Sequence, residues 1–320
     1  MLDFFGDIGG AIMTPLYYII SVVLVGFHTL LSNVGLDPQG GAAWALSIVG
    51  LTLVIRAALI PLFVKQIKSS RNMQLIQPKV KELQKKYGHD RERLAQETMA
   101  LYKEAGTNPF ASCLPILLQM PIFLALFRLL DQAAKKGKSH GVLTEELARD
   151  FGQAELFGRV PLADTFLQAD GSVAVMAFAA VLVLAMTATT FLTQRQLMSK
   201  NMPADALSGP YAQQQKMLLY VLPVVFAVGG IAFPIGVLLY WTTSNLWTMG
   251  QQFYVIRNNP APGTPAFAAK VERDKAKAVR KGTSPVATEA EAAQEIHEPI
   301  QRPAPRQQPK RQTKSQRKKR

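Results

Sequence analysis

Residues 51–64, LTLVIRAALIPLFV, place a single charge, Arg56, inside a run otherwise suited to hydrocarbon. From Trp44 to Val64 every other residue is apolar, small or hydroxylated. A helix needs about 20 such residues to cross a ~30 Å hydrocarbon core. Comparable runs recur at 109–130, 173–193, 217–233 and 235–256. Every backbone polar group must be satisfied inside lipid, and these runs do not alternate as barrel strands do. The expected fold class is therefore an all-α polytopic membrane protein with five core transmembrane helices.

The chain has 320 residues and a net charge of +14, and the distribution of that charge carries more than its size. Ten Lys and Arg fall in 65–103, three in 195–216 and sixteen in 257–320. Residues 131–172 hold five bases against seven acids, and the first 55 residues hold no base. The positive-inside rule then puts the three basic segments in the cytoplasm. Five spans meet that assignment with the N-terminus outside and the C-terminus inside. Cys113 is alone, which gives no disulfide framework, and the four histidines show no metal-ligand spacing.

The domain plan follows. Residues 1–43 form an extracytoplasmic N-terminal segment. Its run IMTPLYYIISVVLVGFHTLL reads as a signal peptide, a sixth span or a helix lying at the membrane surface. The stripe Thr14, Tyr18, Ser21, His28 and Ser32 favours an interfacial helix with its polar edge toward headgroups. Residues 44–64 are transmembrane helix 1. Residues 65–107 are a cytoplasmic helical hairpin, with Met73, Ile76, Val80, Leu83 and Tyr87 at coiled-coil spacing. Gly88 is expected to stop the first arm at positive φ and Asp90 to cap the second, where Leu94, Thr98 and Leu101 offer a matching face. Residues 108–256 hold transmembrane helices 2–5, with Pro109 suited to the first turn. Residues 257–320, with eight prolines, read as a disordered basic tail in which eight of the last fifteen residues are cationic.

A charge at the bilayer centre costs at least ~2.5–3.5 kcal/mol. Lys65 at the expected interface lies nine residues, or about 13 Å of helix, from Arg56. No Asp or Glu occurs in the five runs. Arg56 must then be satisfied by carbonyls, polar side chains or water in a cavity. Thr52, Gln119, the threonines 187, 189, 190 and 193, and the run Thr242-Thr243-Ser244-Asn245 could together furnish a wet pocket. Each alone reads as packing glue between helices.

Three segments carry a resemblance. RAALIPLFVKQIKSSRNMQLIQPKVKELQKKY, ETMALYKEAGTNPFASCLPILLQMPIFLALF and FPIGVLLYWTTSNLWTMGQQ resemble the YidC-type membrane protein insertases, over roughly residues 12–256. The resemblance implies five core spans around a hydrophilic groove open to the cytoplasm and to lipid. It implies an essential groove arginine at Arg56, with Thr52, Tyr240 and Trp241 at groove and substrate-contact positions. Gln119, Met120 and Pro121 match a stretch that lines the substrate slide, and Asn245 completes the expected site. The large periplasmic domain of Gram-negative members and the lipoprotein cysteine of many Gram-positive ones have no counterpart, a layout that looks actinobacterial.

The expected function is that of an insertase and membrane chaperone, acting on nascent membrane proteins alone or with the Sec translocon. It is expected not to be an enzyme and to use no cofactor, metal or catalytic residue. The basic tail is expected to meet the ribosome or anionic lipids. The alternatives are a small-solute transporter or channel with Arg56 as an anion site, and a membrane anchor for a nucleic-acid-binding tail. Inverted repeats, the mark of many transporters, are not evident in the sequence.

Overall fold

The computed structural model describes residues 2–105, 114–202 and 210–282. These residues form the helices α1 (Leu2–Asn33), α2 (Gly41–Ala58), α3 (Ile60–Tyr87), α4 (Arg91–Glu104) and α5 (Leu114–Lys136). After a short α6 (Glu145–Gln153) and the strands β1 (Glu155–Leu156) and β2 (Val160–Pro161), the chain continues as α7 (Val173–Asn201), α8 (Pro210–Gly230), α9 (Ile235–Asn258) and α10 (Pro265–Arg280). The protein is an all-α membrane protein. The segments Met13–Asn33, Gly41–Ala58 and Val173–Asn201 are long and apolar enough to cross a bilayer, and Lys216–Gly230 is a shorter apolar helix. α9 is less apolar because it packs between α2 and α7, where its hydroxyl and amide side chains meet protein. Expectations that rest on Pro109, Cys113 and residues 283–320 lie outside the described residues.

Residues 137–172 cap one end of the bundle. The cap satisfies helix termini that would otherwise leave donors unpaired. The Ile235 N–H donates to the Asp164 carbonyl and the Gly236 N–H to that of Leu162, each at 2.9 Å. β1 lies against the start of α2 so closely that a Cβ on Gly41 would sit 2.3 Å from the Glu155 carbonyl carbon. Only glycine fits there. With both N-termini held by one cap, α2 and α9 run in parallel. Trp44 fills the space beneath, fully buried, stacked on His28 at 3.8 Å and meeting the Phe151 edge at 5.4 Å. Leu24, Ile48, Leu126, Leu162 and Ile235 complete this core.

Part of the polar stripe of α1 is used inside the protein. Ser21 is buried, donates to the Tyr18 carbonyl and accepts the Val142 N–H at 3.0 Å. His28 is buried too and pairs with the Pro38 carbonyl at 2.8 Å. Two residues of the stripe expected to face headgroups thus face the cap and the α1–α2 turn, while Thr14 and Tyr18 remain exposed. The wheel pattern alone cannot distinguish water from protein as the polar partner.

The helix expected across 44–64 breaks at Leu59. Pro61 has no N–H, and its ring excludes the carbonyl of Ala57, so α2 ends at Ala58 and α3 begins at Ile60. α3 and α4 form the hairpin arms, with Ile76 and Val80 buried at the seam. No residue of α4 is buried, so the hairpin is held by a thin contact. Asp90 accepts the Arg93 N–H at 3.0 Å, the cap read from the sequence. Gly88 differs from expectation: it lies at φ −61°, where a Cβ would approach the Gln84 carbonyl oxygen to 2.6 Å. Its lack of a side chain matters for space there, not for handedness.

The segment from Arg257 also differs. Residues 257–282, expected without structure, turn back and form α10. Asn201 accepts the Ala261 N–H at 2.8 Å, Thr264 caps the helix and Pro265 occupies its first turn. Ala266 and Phe267 are buried. Composition averaged over the whole tail concealed this local signal.

Two outcomes follow. Gly41→Ala forces β1 off α2 and lowers stability by about 1–3 kcal/mol, read as a fall in melting temperature in detergent. His140 donates to the Gln132 amide oxygen at 2.7 Å, and burial, then Lys138, hold its imidazole below the ordinary 6.5. A base depressed in the fold is neutral there while the unfolded chain protonates. Stability should therefore decline as pH falls from about 6.5 toward the folded value, and His140→Gln should flatten that part of the profile.

Candidate functional site

Arg56 occupies the last turn of α2, where the exposed carbonyl end of the helix favours a cation. It is half-buried. Its Nε donates to the Ser244 Oγ at 3.0 Å, and Nη2 donates to the same oxygen. Ser244 is 3% exposed, so α9 supplies a fixed, neutral acceptor to a fixed cation. One guanidinium carries five N–H donors, and two of them here share one oxygen. Arg56 also lines a pocket of about 60 Å³ together with Leu59, Leu62, Phe63, Gln66, Gln119 and Gln251. That volume has room for a few water molecules. Among the described residues three amides and no carboxylate line it, so these walls can solvate a cation or an anion without neutralising Arg56.

One turn before Ser244 on α9 sits Tyr240, 3% exposed, whose hydroxyl accepts the Gln119 amide at 3.1 Å. This bond ties α5 to α9 beside Arg56. Trp241 meets Phe123 at 5.3 Å, Phe226 at 4.9 Å and Phe233 at 5.6 Å, which joins α5, α8 and α9 in one aromatic cluster. Gln119, Tyr240 and Trp241 thus come together around the arginine's neighbourhood. Met120 is 47% exposed on the surface of α5, and Pro121 is half-buried within that helix.

Thr52 and Asn245 are placed otherwise. Thr52 is fully buried and gives its hydroxyl to the Ile48 carbonyl of its own helix at 2.7 Å. Asn245 points to α7, donating to Thr190 Oγ1 at 3.0 Å and to the Met186 carbonyl at 3.3 Å. Nor do the threonines of α7 open a wet pocket. Thr187, Thr189, Thr190 and Thr193 each donate to a carbonyl one turn back, at 2.7–2.8 Å. Their hydroxyls are satisfied within one helix, the ordinary solution for Ser and Thr in apolar surroundings.

Gln66 and Gln251 are the residues that a reading of the site from sequence leaves out, and Ser244 was read only as one of a polar run, not as the partner of Arg56. Ser244 lay within the polar run of α9, and its spacing of four from Tyr240 placed both on one face. The glutamines lay in KQ and GQQ, beyond the runs that define spans. Arg128 is a second cation inside the apolar run 109–130, and it lies exposed on α5.

The joint can be measured. A double-mutant cycle of Arg56→Ala and Ser244→Ala, read by thermal unfolding in detergent, should give a coupling of about 1.5–3 kcal/mol, the range for a hydrogen bond to a charged group. Additive effects of the two changes would mean that the contact does not hold α2 to α9.

Comparison with known proteins adds an independent line. The chain matches the 60Kd inner membrane protein family over residues 36–262. It is 50% identical over 263 residues to the membrane protein insertase YidC of Streptomyces avermitilis, a match covering 79% of this chain and 60% of that relative. It is 42% identical over 286 residues to the membrane protein insertase YidC of Tropheryma whipplei, covering 85% and 92% respectively. A crystal structure of an active YidC insertase, with its first transmembrane domain resolved, is similar over 74% of this chain and 46% of its own, at 22% identity and a TM-score of 0.46.

Proposed function

Because this chain belongs to the 60Kd inner membrane protein family, we propose that it inserts integral membrane proteins into the bilayer and helps them fold. The observation that carries this reading is a half-buried cation, Arg56, whose hydrogen-bond partner Ser244 is neutral and whose pocket is lined by amides. A translocating segment must carry polar groups across hydrocarbon, at several kcal/mol for each group left unsatisfied. A polar site within the bundle shortens that crossing. Arg56 attracts acidic residues of the passing segment, and water entering the pocket competes for both charges, so the segment is not trapped. Its own apolar helix then moves sideways into lipid, which supplies the driving force. No bond is made or broken, and no nucleotide is required.

The remaining assignments belong to the same proposal. The N-terminus is outside and the C-terminus in the cytoplasm, as the basic residues of α3, α4 and α10 require under the positive-inside rule. Residues 137–172 then close the outer side. Gln119, Tyr240 and Trp241 form the wall that substrate meets, with Met120 and Pro121 on the slide and Thr52 and Asn245 bracing the helices behind it. Nascent membrane proteins are the substrates, and the Sec translocon is a partner for some of them. The basic residues 306–320 meet ribosomal RNA or anionic lipid by charge alone.

Insertion of a small single-span substrate with an acidic translocated tail into protein-containing liposomes tests the reading. Arg56→Ala should slow insertion about tenfold or more, equivalent to losing about 1.4 kcal/mol, whereas Arg56→Lys should keep most of it. Equal loss in both variants would point to a geometric role for the guanidinium instead. With Cys113 replaced, Arg56→Cys should react with an impermeant thiol reagent from the cytoplasmic side. Labelling from the outer side alone would refute the orientation of the site.

A further inference from the structure

The β1–β2 turn carries a residue that its own geometry disfavours. Arg159 donates its N–H to the Leu156 carbonyl at 3.2 Å, and the two residues inside that turn, Phe157 and Gly158, lie at φ +55° and +63°. Positive φ at both central positions is the condition of a type I′ turn, which Asn-Gly or Asp-Gly meets with little strain. A phenylalanine there is strained, because its Cβ crowds the backbone. Burial in protein does not offset the strain, since Phe157 is 82% exposed. Its ring meets that of Phe178 on α7 edge to face, with 6.3 Å between centroids.

The place of Phe178 on α7 identifies what surrounds the exposed ring. The apolar run 173–193 has 21 residues, which rise about 31 Å as a helix and match the ~30 Å hydrocarbon core. The polar turn of Asp170, Gly171 and Ser172 precedes it, and Ser172 caps the helix. Phe178 lies five residues beyond Val173, about 7.5 Å into the run. Ala177, Val181, Leu184 and Ala188 are exposed at helical spacing, which is the face that α7 turns to lipid. Phe178 is half-buried and borders that face beside Ala177 and Val181. β1 packs on the start of α2 and β2 on α7, so the hairpin sits at the edge of the bundle with residues 157–159 exposed. Glu155 and Arg159 are exposed on either side of Phe157. Two charges so close to the tip hold the strands at headgroup level and limit penetration to the one aromatic side chain.

We propose that Phe157 anchors the cap in the bilayer, its ring inserted among the acyl chains of the adjoining leaflet beside Phe178 and the Glu155 and Arg159 side chains at the headgroups. The partner of this surface is lipid, and any bilayer-forming phospholipid serves, because the ring is matched to hydrocarbon and not to a headgroup. The anchor fixes the height of the cap against the membrane, and with it the N-termini of α2 and α9 that the cap holds. It rests on α7 crossing the bilayer and on no property of Arg56. It can therefore fail while the insertase reading stands, and the reverse.

Fluorescence of the full chain in phosphatidylcholine–phosphatidylglycerol vesicles tests the anchor without any insertion substrate. With Cys113 replaced, Phe157→Cys is labelled with bimane, and Glu146→Cys, exposed on α6, serves as the reference on the cap. Bimane at 157 should emit to the blue of bimane at 146. Iodide on both sides of the vesicle should quench it several-fold less, and a lipid nitroxide near the headgroup should quench it more than one near the acyl terminus. Equal iodide quenching at the two positions would overturn the proposal. Shielding of position 157 from both iodide and lipid nitroxides would place the tip against another protein or a second copy, and would also overturn it. Because bimane is itself apolar, a second measurement keeps the native ring: the label goes on Arg159→Cys, with Phe157 retained or changed by Phe157→Asn. Asn tolerates positive φ and the ring is exposed, so the fold should persist with an undiminished melting temperature in detergent. Loss of the ring should raise iodide quenching at position 159 several-fold. Unchanged quenching there would mean that Phe157 does not hold the tip in lipid, and the anchor is wrong.

Discussion

A guanidinium inside a helical membrane protein must find acceptors, and the arrangement of α2, α5 and α9 follows from how Arg56 finds them. Its position in the last turn of α2 supplies the negative end of a helix. Ser244 supplies a hydroxyl oxygen that two guanidinium nitrogens approach. Neither partner carries a full charge. A carboxylate in place of Ser244 would form an ion pair and quench the field in the pocket. The hydroxyl holds the side chain's direction and leaves its charge available. Pro61 ends α2 just beyond, so the arginine sits in the last turn of that helix.

The two ends of the bundle are built by different means. At the capped end the α9 N–H groups of Ile235 and Gly236 bond to backbone carbonyls of residues 164 and 162, and Gly41 admits β1 at van der Waals distance. Backbone pairs of this kind leave no room for a chain to pass. Below them Trp44, Phe151 and Leu126 pack without exposure. Toward the other end the contacts become side-chain amides, hydroxyls and aromatic rings, which can exchange partners. The hairpin of α3 and α4 touches along a seam with few buried residues. One end of the protein is therefore sealed by geometry, and the other is held by contacts that can exchange partners.

Much of this was legible in the sequence, for specific reasons. Arg56 stood out because hydrocarbon tolerates no casual charge. Asp90 and the seam at Ile76 and Val80 were readable because caps and heptads are local. Tyr240 and Trp241 came from the resemblance and Gln119 also from its polarity in an apolar run, and in the structure Gln119 bonds Tyr240. What escaped was whatever depends on a partner distant in sequence. The bond from Arg56 to Ser244 spans 188 residues, and no periodicity links the two. The α1 stripe showed that Ser21 and His28 need polar partners, but not that Val142 and Pro38 provide them. The break at Leu59 was available from Pro61 alone and was passed over because hydropathy runs on through it. The ordered segment up to Arg280 was masked by averaging over a proline-rich tail, although Thr264-Pro265 is a local helix start.

The threonines show why counting polar residues in spans misleads. Four hydroxyls on α7 point one turn back to their own carbonyls, and Thr243 and Thr248 on α9 do the same. A hydroxyl satisfied in this way contributes almost nothing to a polar pocket, since its donor is engaged and its oxygen lies against the helix. Amides cannot hide so easily: their longer side chains carry two donors and an acceptor away from the backbone. Asn245 resolves this by reaching α7, and Gln119 by reaching Tyr240. Gln66 and Gln251 instead line the space beside Arg56. The polar character of the site therefore resides in a few glutamines around one arginine. The abundant threonines serve the helices that hold those residues in place.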